Sequence, residues 1–262
     1  MPILIEKRGH TGILTLSRPD VRNAWCADYY RELRERLDEL EEDRAIRAVI
    51  LTGDEAGGAF SAGADLKNPN THTVDSVGAF VRSLPMRKHH TFRVMDEFPK
   101  PLIAAVNGYA IGIGCIVTYC CDLIVASERA EWRLPQTRLG IVPAQAALPR
   151  LARWVGKGNA MKLGMGFALK AEEALRIGLA QWVVPHEQLM QTALEVARHV
   201  AAHPPLASRL TKESLHHGIE LPHLADAALV DLYRFKTLED TQDKKESHRA
   251  WREKREPDFK DE

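Results

Sequence analysis

Apolar positions along this chain fall either into short unbroken runs or into helically spaced sets, with turn residues between them. The longest apolar run is 99–121, PKPLIAAVNGYAIGIGCIVTYCC. Within it Pro101 fixes an extended entry, and Leu102–Val106 reads as a short strand buried on both faces. Asn107-Gly108 is a turn signal, and beyond Gly112 and Gly114 the segment Ile113–Cys121 suits a buried helix. Ile3–Glu6 and Gly12–Ser17 read as two strands about a Gly9–Gly12 turn. Tyr29, Leu33, Leu37 and Leu40 recur at helical spacing in a strongly charged background, which predicts an amphipathic surface helix over Asp28–Glu42. Ile46–Thr52 and Asp122–Ala126 read as further strands. Phe60–Leu66 is a second small-residue turn leading towards a helix, and Val74–Phe98 reads as helical with a break at Pro85. Gly140–Pro149 is a loop entering a helix.

From Ala171 onward the pattern is mostly helical: Ala171–Ile177, Glu187–Ala202, Leu206–His217 and Pro222–Thr237, then the charged stretch Glu239–Glu262. Pro204-Pro205 is the best boundary signal. It divides the chain into an expected core, 1–203, and an expected helical region, 204–262.

The order strand, glycine loop, helix at 102–121 brings chemistry into the picture. A helix N-terminus presents free backbone N–H groups and the positive end of the helix dipole. It suits an anion, or a carbonyl oxygen becoming one. A core helix whose glycines permit close packing explains the same residues. A membrane span does not, because Asn107-Gly108 and Asp122 interrupt the run. Glycines at 108, 112 and 114 do not form G-x-G-x-x-G, and no G-K-[ST] follows for a phosphate loop.

The 262 residues suffice for one large domain, or a domain with an appendage. Lys plus Arg (36) equals Asp plus Glu (36), so no overall field favours nucleic acid or an anionic membrane as partner. Four cysteines, two of them adjacent at Cys120-Cys121 in an apolar run, and a first segment without a signal-peptide core point to a reduced, cytoplasmic protein. No CxxC pair suggests zinc, and His199 and His203, though four apart, have no acid between them, so no metal is expected.

Two turns taken together carry a resemblance: FSAGADL at 60–66 and PLIAAVNGYAIGIGC at 101–115. RPDVRNA at 18–24, CDLIVA at 121–126, LGIVP at 139–143 and EKREPDFK at 253–260 extend it along nearly the whole chain. In this order and spacing they resemble the crotonase superfamily, also called the enoyl-CoA hydratase/isomerase family. The resemblance implies an α/β fold of the ClpP/crotonase type, a spiral of ββα units with a C-terminal helical region, assembled as a homotrimer or homohexamer. It implies an acyl-CoA thioester as ligand, with coenzyme A present only as part of the substrate. By motif position the thioester oxygen would be held by the backbone N–H groups of Ala64 and Ile113; the family often has glycine where Ile113 stands. Arg22, Ala24, Ala62, Asp65, Lys67, Phe235, Trp251 and Lys254 fall on positions that reach coenzyme A, the last three commonly from a neighbouring subunit.

The departures from the family pattern bear on the reaction. Its hydratases carry one glutamate just after the Gly-x-Gly-Cys turn and a second in the segment matching Trp132–Gln136. Here those positions are Ile116 and Gln136. Another family pattern places an acid in the loop that here reads Pro143, Ala144 and Gln145. Isoleucine cannot carry a proton, and glutamine can orient a water but cannot cycle one near neutral pH. His89 and His90 are the candidate replacements, with a solvated helix beside Arg87 and Lys88 as their plainer reading. Tyr109 is a candidate pocket residue or a packing residue at the turn, and Arg133 could pair with Glu131 or reach a polar acyl group. Two functions follow: an enzyme using non-hydratase chemistry, or a non-catalytic carrier or sensor of acyl-CoA.

Overall fold

A computed structural model describes residues 2–67, 76–78 and 91–262. Its strands are β1 (Ile3–Arg8), β2 (Thr11–Leu16), β3 (Ala48–Gly53), β4 (Ala59–Ser61), β5 (Leu102–Val106), β6 (Tyr109–Ile111), β7 (Leu123–Ser127), β8 (Glu131–Arg133), β9 (Leu169–Lys170) and β10 (Trp182–Val184). Its helices are α1 (Ala27–Glu42), α2 (Thr91–Glu97), α3 (Ile113–Thr118), α4 (Ala147–Gly164), α5 (Ala171–Arg176), α6 (Leu189–Ala201), α7 (Pro205–Gly218), α8 (Leu224–Glu239) and α9 (Gln242–Glu253).

The chain deals its strands alternately to two sheets. A six-stranded sheet runs β1-β2-β3-β5-β7-β10 and a four-stranded sheet runs β4-β6-β8-β9. Each pass adds one strand to each sheet, β3 then β4, β5 then β6, β7 then β8, and so advances a spiral. Within it β3, β5 and β7 are parallel neighbours, as are β4, β6 and β8. The sequence reading of an α/β spiral with a helical end therefore holds.

Alternation along β2, β3 and β5 explains the large sheet. Leu14, Leu16, Val49, Leu51, Leu102 and Ala104 face one core, together with Tyr29, Leu33, Leu37 and Leu40 of α1. Ile13, Ile50, Ile103 and Ala105 face the other, against Leu189, Ala193 and Ala197 of α6. With both faces covered, β3 and β5 are buried at every position, which is why they read as unbroken apolar runs.

Three differences have physical causes. Strands β4 and β6 fall in segments that read as turns because three residues are too few to display a period of two, and β8 is as short. Helix α3 stops at Thr118, three residues before the expected Cys121. There the Thr118 hydroxyl donates to the Cys115 carbonyl (2.7 Å) and accepts from the Trp132 indole (3.0 Å), fixing the end of the helix against β8. Helix α4 runs on past Pro149 to Gly164 and kinks at Gly156, which has a positive φ of 77°.

Helices α7 and α8 contain no buried residue in the single chain. A polar anchor fastens them. Asp122 accepts from Lys212 (2.7 Å), from His216 (2.8 Å) and from the Leu102 N–H at the start of β5 (2.7 Å). Burial raises the Asp122 carboxyl, but His216, Lys212 and the Leu102 N–H outweigh that and hold it below the ordinary carboxylate value. Its stabilisation is thus present above the unfolded value of about 3.9 and is lost as pH falls through the lower folded value. An Asp122→Ala variant leaves the Lys212 ammonium, on a side chain that is 8% exposed, without its carboxylate and with the Lys100 carbonyl (3.1 Å) as acceptor. It is expected to lose about 3–5 kcal/mol in urea unfolding at neutral pH, a deficit that shrinks on acidification. A deficit independent of pH would show that the carboxylate charge is not what anchors the hairpin.

Candidate active site

Two turns that end strands of the small sheet meet at one place. The first follows β4, through Ala62, Gly63, Ala64 and Asp65. Gly63 has φ of 90°, and a Cβ there would lie 2.8 Å from the Ile111 carbonyl oxygen, so only glycine fits. The second turn follows β6, through Gly112 (φ 55°) into α3, whose first residue is Ile113. Gly114, one residue further, has no room for a side chain either, since its Cβ would fall 2.7 Å from both the Ser61 Cβ and the Ser61 carbonyl oxygen. The glycines at 63, 112 and 114 are therefore what lets the two turns abut. A register shift between Ala59 and Ser61 in the β4–β6 pairing aims the first turn at the second.

Backbone donors point out of this junction. Ala64 pairs with Trp25 in an isolated parallel bridge. Its bonds run from the Trp25 N–H to the Gly63 carbonyl (2.7 Å) and from the Asp65 N–H to the Trp25 carbonyl (3.0 Å). The Ala64 N–H is not used by the bridge and faces the opposite way. Ile113 is the first residue of α3, so its N–H has no acceptor within the helix. Gly112 is held by its own N–H donating to the Arg133 carbonyl (2.8 Å) on β8.

The first turn has a buried support that the sequence did not disclose. Arg18 donates to Asp65 Oδ2 (2.8 Å) and to the Ala24 carbonyl (2.8 Å). Asn23, fully buried and at a positive φ of 56°, accepts from the Arg18 N–H and donates to the Asp54 and Ala59 carbonyls. These bonds lock 18–24 against the start of β4. Asp65 also accepts from the Lys67 N–H (3.1 Å). Its carboxylate is thus occupied in shaping the turn.

The side chains around the junction are mixed. Ile116 is 3% exposed and belongs to the main apolar core. Gln136 begins a short 3-10 turn after Pro135; its Nε2 lies 3.5 Å from where a Gly112 Cβ would be, and its Oε1 is buried without a partner. Tyr109 is 39% exposed, with the Arg133 guanidinium 5.5 Å from its ring centre, and Arg133 in turn pairs with Glu131. Ala144 is exposed, in a loop whose next residues, Gln145 and Ala146, both have positive φ. Arg150 ties that loop to α2 through a two-pronged pair with Asp96 (2.6 and 2.7 Å). Cys115 is fully buried, and burial pushes its thiol well above the ordinary value, so it is no nucleophile. His89 and His90 lie outside the described residues.

The positions matched to coenzyme A divide into two groups. Arg22 (exposed, φ 53°), Ala24, Ala62 and Lys67 line or flank the first turn. Phe235 on α8, Trp251 on α9 and Lys254, which caps the end of α9, are exposed; Phe235 has the ammonium groups of Lys236 and Lys244 6.0 Å from its ring. A groove of about 700 Å³ opens elsewhere, on the α6 side of the large sheet, lined by Thr52, Glu55, Asn107, Arg129 and His186 among others. None of the turn residues contributes to it. Among the described residues no cluster of His, Cys, Asp or Glu could hold a metal ion, and no helix is long and apolar enough to cross a membrane.

Known proteins resemble the chain along nearly its whole length. Residues 6–262 match the family model described as enoyl-CoA hydratase/isomerase. The chain is 36% identical over 257 residues to the short-chain-enoyl-CoA hydratase of Clostridium acetobutylicum, covering 97% of this chain and 95% of that one. It is 35% identical over 263 residues to the mitochondrial enoyl-CoA hydratase of Pongo abelii, covering 99% and 88%. The crystal structure of an enoyl-CoA hydratase from Bacillus anthracis matches with a TM-score of 0.91 at 32% identity, over 100% of both chains.

Proposed function

The chain belongs to the enoyl-CoA hydratase/isomerase family, the crotonase superfamily, and on that premise we propose that it is an acyl-CoA enzyme that does not run the two-glutamate hydration. The thioester oxygen is held by the Ala64 and Ile113 N–H groups. The observation that carries the reading is the abutment of the two glycine turns, which leaves both donors unspent at one junction. Fixed donors of this kind stabilise a forming enolate or tetrahedral anion without reorganisation. Ile116 gives the acyl group an apolar wall, and Gln136 gives it one neutral amide.

Coenzyme A runs past Ala62 and Ala64, with Arg22, Ala24 and Lys67 towards its nucleotide end. Phe235, Trp251 and Lys254 come from a neighbouring subunit of a homotrimer or homohexamer. The lack of any buried residue in α7 and α8 supports that assembly, as do the exposed Leu224, Tyr233 and Phe235 on α8. The other reading, a carrier or sensor that binds acyl-CoA without converting it, draws on the same Ile116 and Gln136.

Calorimetric titration with short, long and aromatic acyl-CoAs, followed by mass spectrometry of each mixture, tests the proposal. Binding and a changed product mass are expected for at least one thioester. Bound ligands unchanged over hours would favour the carrier. No binding to any CoA thioester would sink both readings.

A further inference from the structure

Three neighbouring strands of the large sheet, β5, β7 and β10, run parallel and end side by side. In open α/β sheets the crevice beyond such carboxyl ends is a favoured place for ligands. Here it opens into the groove of about 700 Å³ on the α6 side, to which the glycine turns contribute nothing. A groove of that size suits a small molecule. One polar residue follows each strand into it: Asn107 directly after β5, Arg129 two residues after β7, and Glu187 three residues after β10.

These three carry the groove's uncommitted groups. The Asn107 amide donates to the Gly53 carbonyl (3.0 Å) and to Glu55 (3.3 Å). Both partners are acceptors, which fixes the orientation of the amide. Its Oδ1 receives no hydrogen bond although Asn107 is only 5% exposed, and a buried acceptor left so is costly until a donor reaches it. The Arg129 guanidinium and the Glu187 carboxylate make no hydrogen bond or ion pair among the described residues. The other charges are spent. Arg8 holds Glu6, His186 bridges Ser127 (3.0 Å) and Glu55 (2.6 Å), and Asp54 accepts from the Ser17 hydroxyl (2.6 Å). Buried Ile13 and Leu189 and half-buried Met190 add an apolar wall.

Four carboxylates line the groove, from Glu6, Asp54, Glu55 and Glu187, against the guanidinium groups of Arg8 and Arg129. A phosphate or other polyanion is repelled there, whereas a ligand with one charge of each sign is not. We propose that the groove binds a small zwitterion with an apolar side chain, of the free α-amino acid class, at a site separate from the thioester junction. Arg129 takes the ligand's carboxylate through paired N–H donors. Glu187 takes its ammonium, Asn107 Oδ1 accepts a further ammonium N–H, and the side chain lies against Ile13, Leu189 and Met190. The site binds and performs no covalent step.

The test titrates the full chain with L-leucine and L-methionine by calorimetry. Isocaproate and isoamylamine, which keep the leucine side chain and one charge each, are titrated alongside. Nuclear magnetic resonance of methyl-labelled methionines follows Met190, whose signal is assigned through a Met190→Leu variant. The proposal expects at least one of the two amino acids to bind once per chain and to shift the Met190 methyl signal. It expects each single-charge analogue to bind more weakly by roughly tenfold or more. Arg129→Gln and Glu187→Gln should each weaken the amino acid by a similar factor. Neither side chain has a partner to lose, so both variants fold. Failure of both amino acids to bind would overturn the proposal. So would binding that leaves the Met190 methyl unmoved, equal affinity for either single-charge analogue, or unchanged affinity in both variants.

Discussion

An Ile113→Pro variant is expected to lower turnover of the preferred acyl-CoA by about 10²–10³-fold while the chain stays folded. The substitution deletes one N–H together with the isoleucine side chain, which is partly buried against the main core. Ile113 is the first residue of α3, where proline is tolerated because that N–H has no helical partner. Gly112 ahead of it sits at φ 55°, ψ −116°, the mirror image of the extended geometry that a residue before proline favours. Loss of the isoleucine side chain is controlled by Ile113→Ala, which keeps the donor. If the proline and alanine variants are equally impaired, the side chain matters and the N–H does not. If neither is impaired, Ile113 is not an oxyanion donor.

The second large effect is a gain. Ile116→Glu combined with Gln136→Glu is expected to confer hydration of a 2-enoyl-CoA, because each positioned acid or base is worth roughly 10²–10⁴-fold. The single variants should supply much less than the pair, since one group must take a proton from water and the other must deliver one to carbon. The cost falls on Ile116, which is 3% exposed in the main core. A carboxyl there is desolvated, its pKa rises, and the variant should unfold at lower denaturant than its parent. A folded double variant with no hydratase activity would mean that the scaffold has diverged beyond those two positions. Measurement is by mass gain of the thioester.

Buried runs and glycine turns were legible in the sequence because both are local signals. β5 appears between Leu102 and Val106 as read, and α1 differs from the reading by one residue at its start. The two turns that form the junction are visible as local patterns at Gly63 and Gly112–Gly114, and their meeting at one thioester oxygen is what the family resemblance implies. What makes them touch was not legible. Arg18 reaches Asp65 across 47 positions and Asn23 reaches Ala59 across 36, and neither residue advertises its partner. Asp122 looked like a strand's first residue, yet it is the anchor for Lys212, 90 positions away. A single polar residue carries no periodicity, so its contact appears only when the fold brings the partner in. The one visible hint was composition: arginine, asparagine and aspartate in otherwise small-residue or apolar surroundings at 18–24 and at 65.

On the proposed reading, a thioester-polarising site persists here without standard hydratase chemistry. Mixing the chain with a 2-enoyl-CoA, measuring binding by calorimetry and product by mass spectrometry on the same sample, tests it most directly. Binding with the enoyl thioester recovered intact is the predicted result. A hydrated product formed at about 1–10³ s⁻¹, the ordinary range for enzymes, would contradict it and show that Ile116 and Gln136 do not disable hydration.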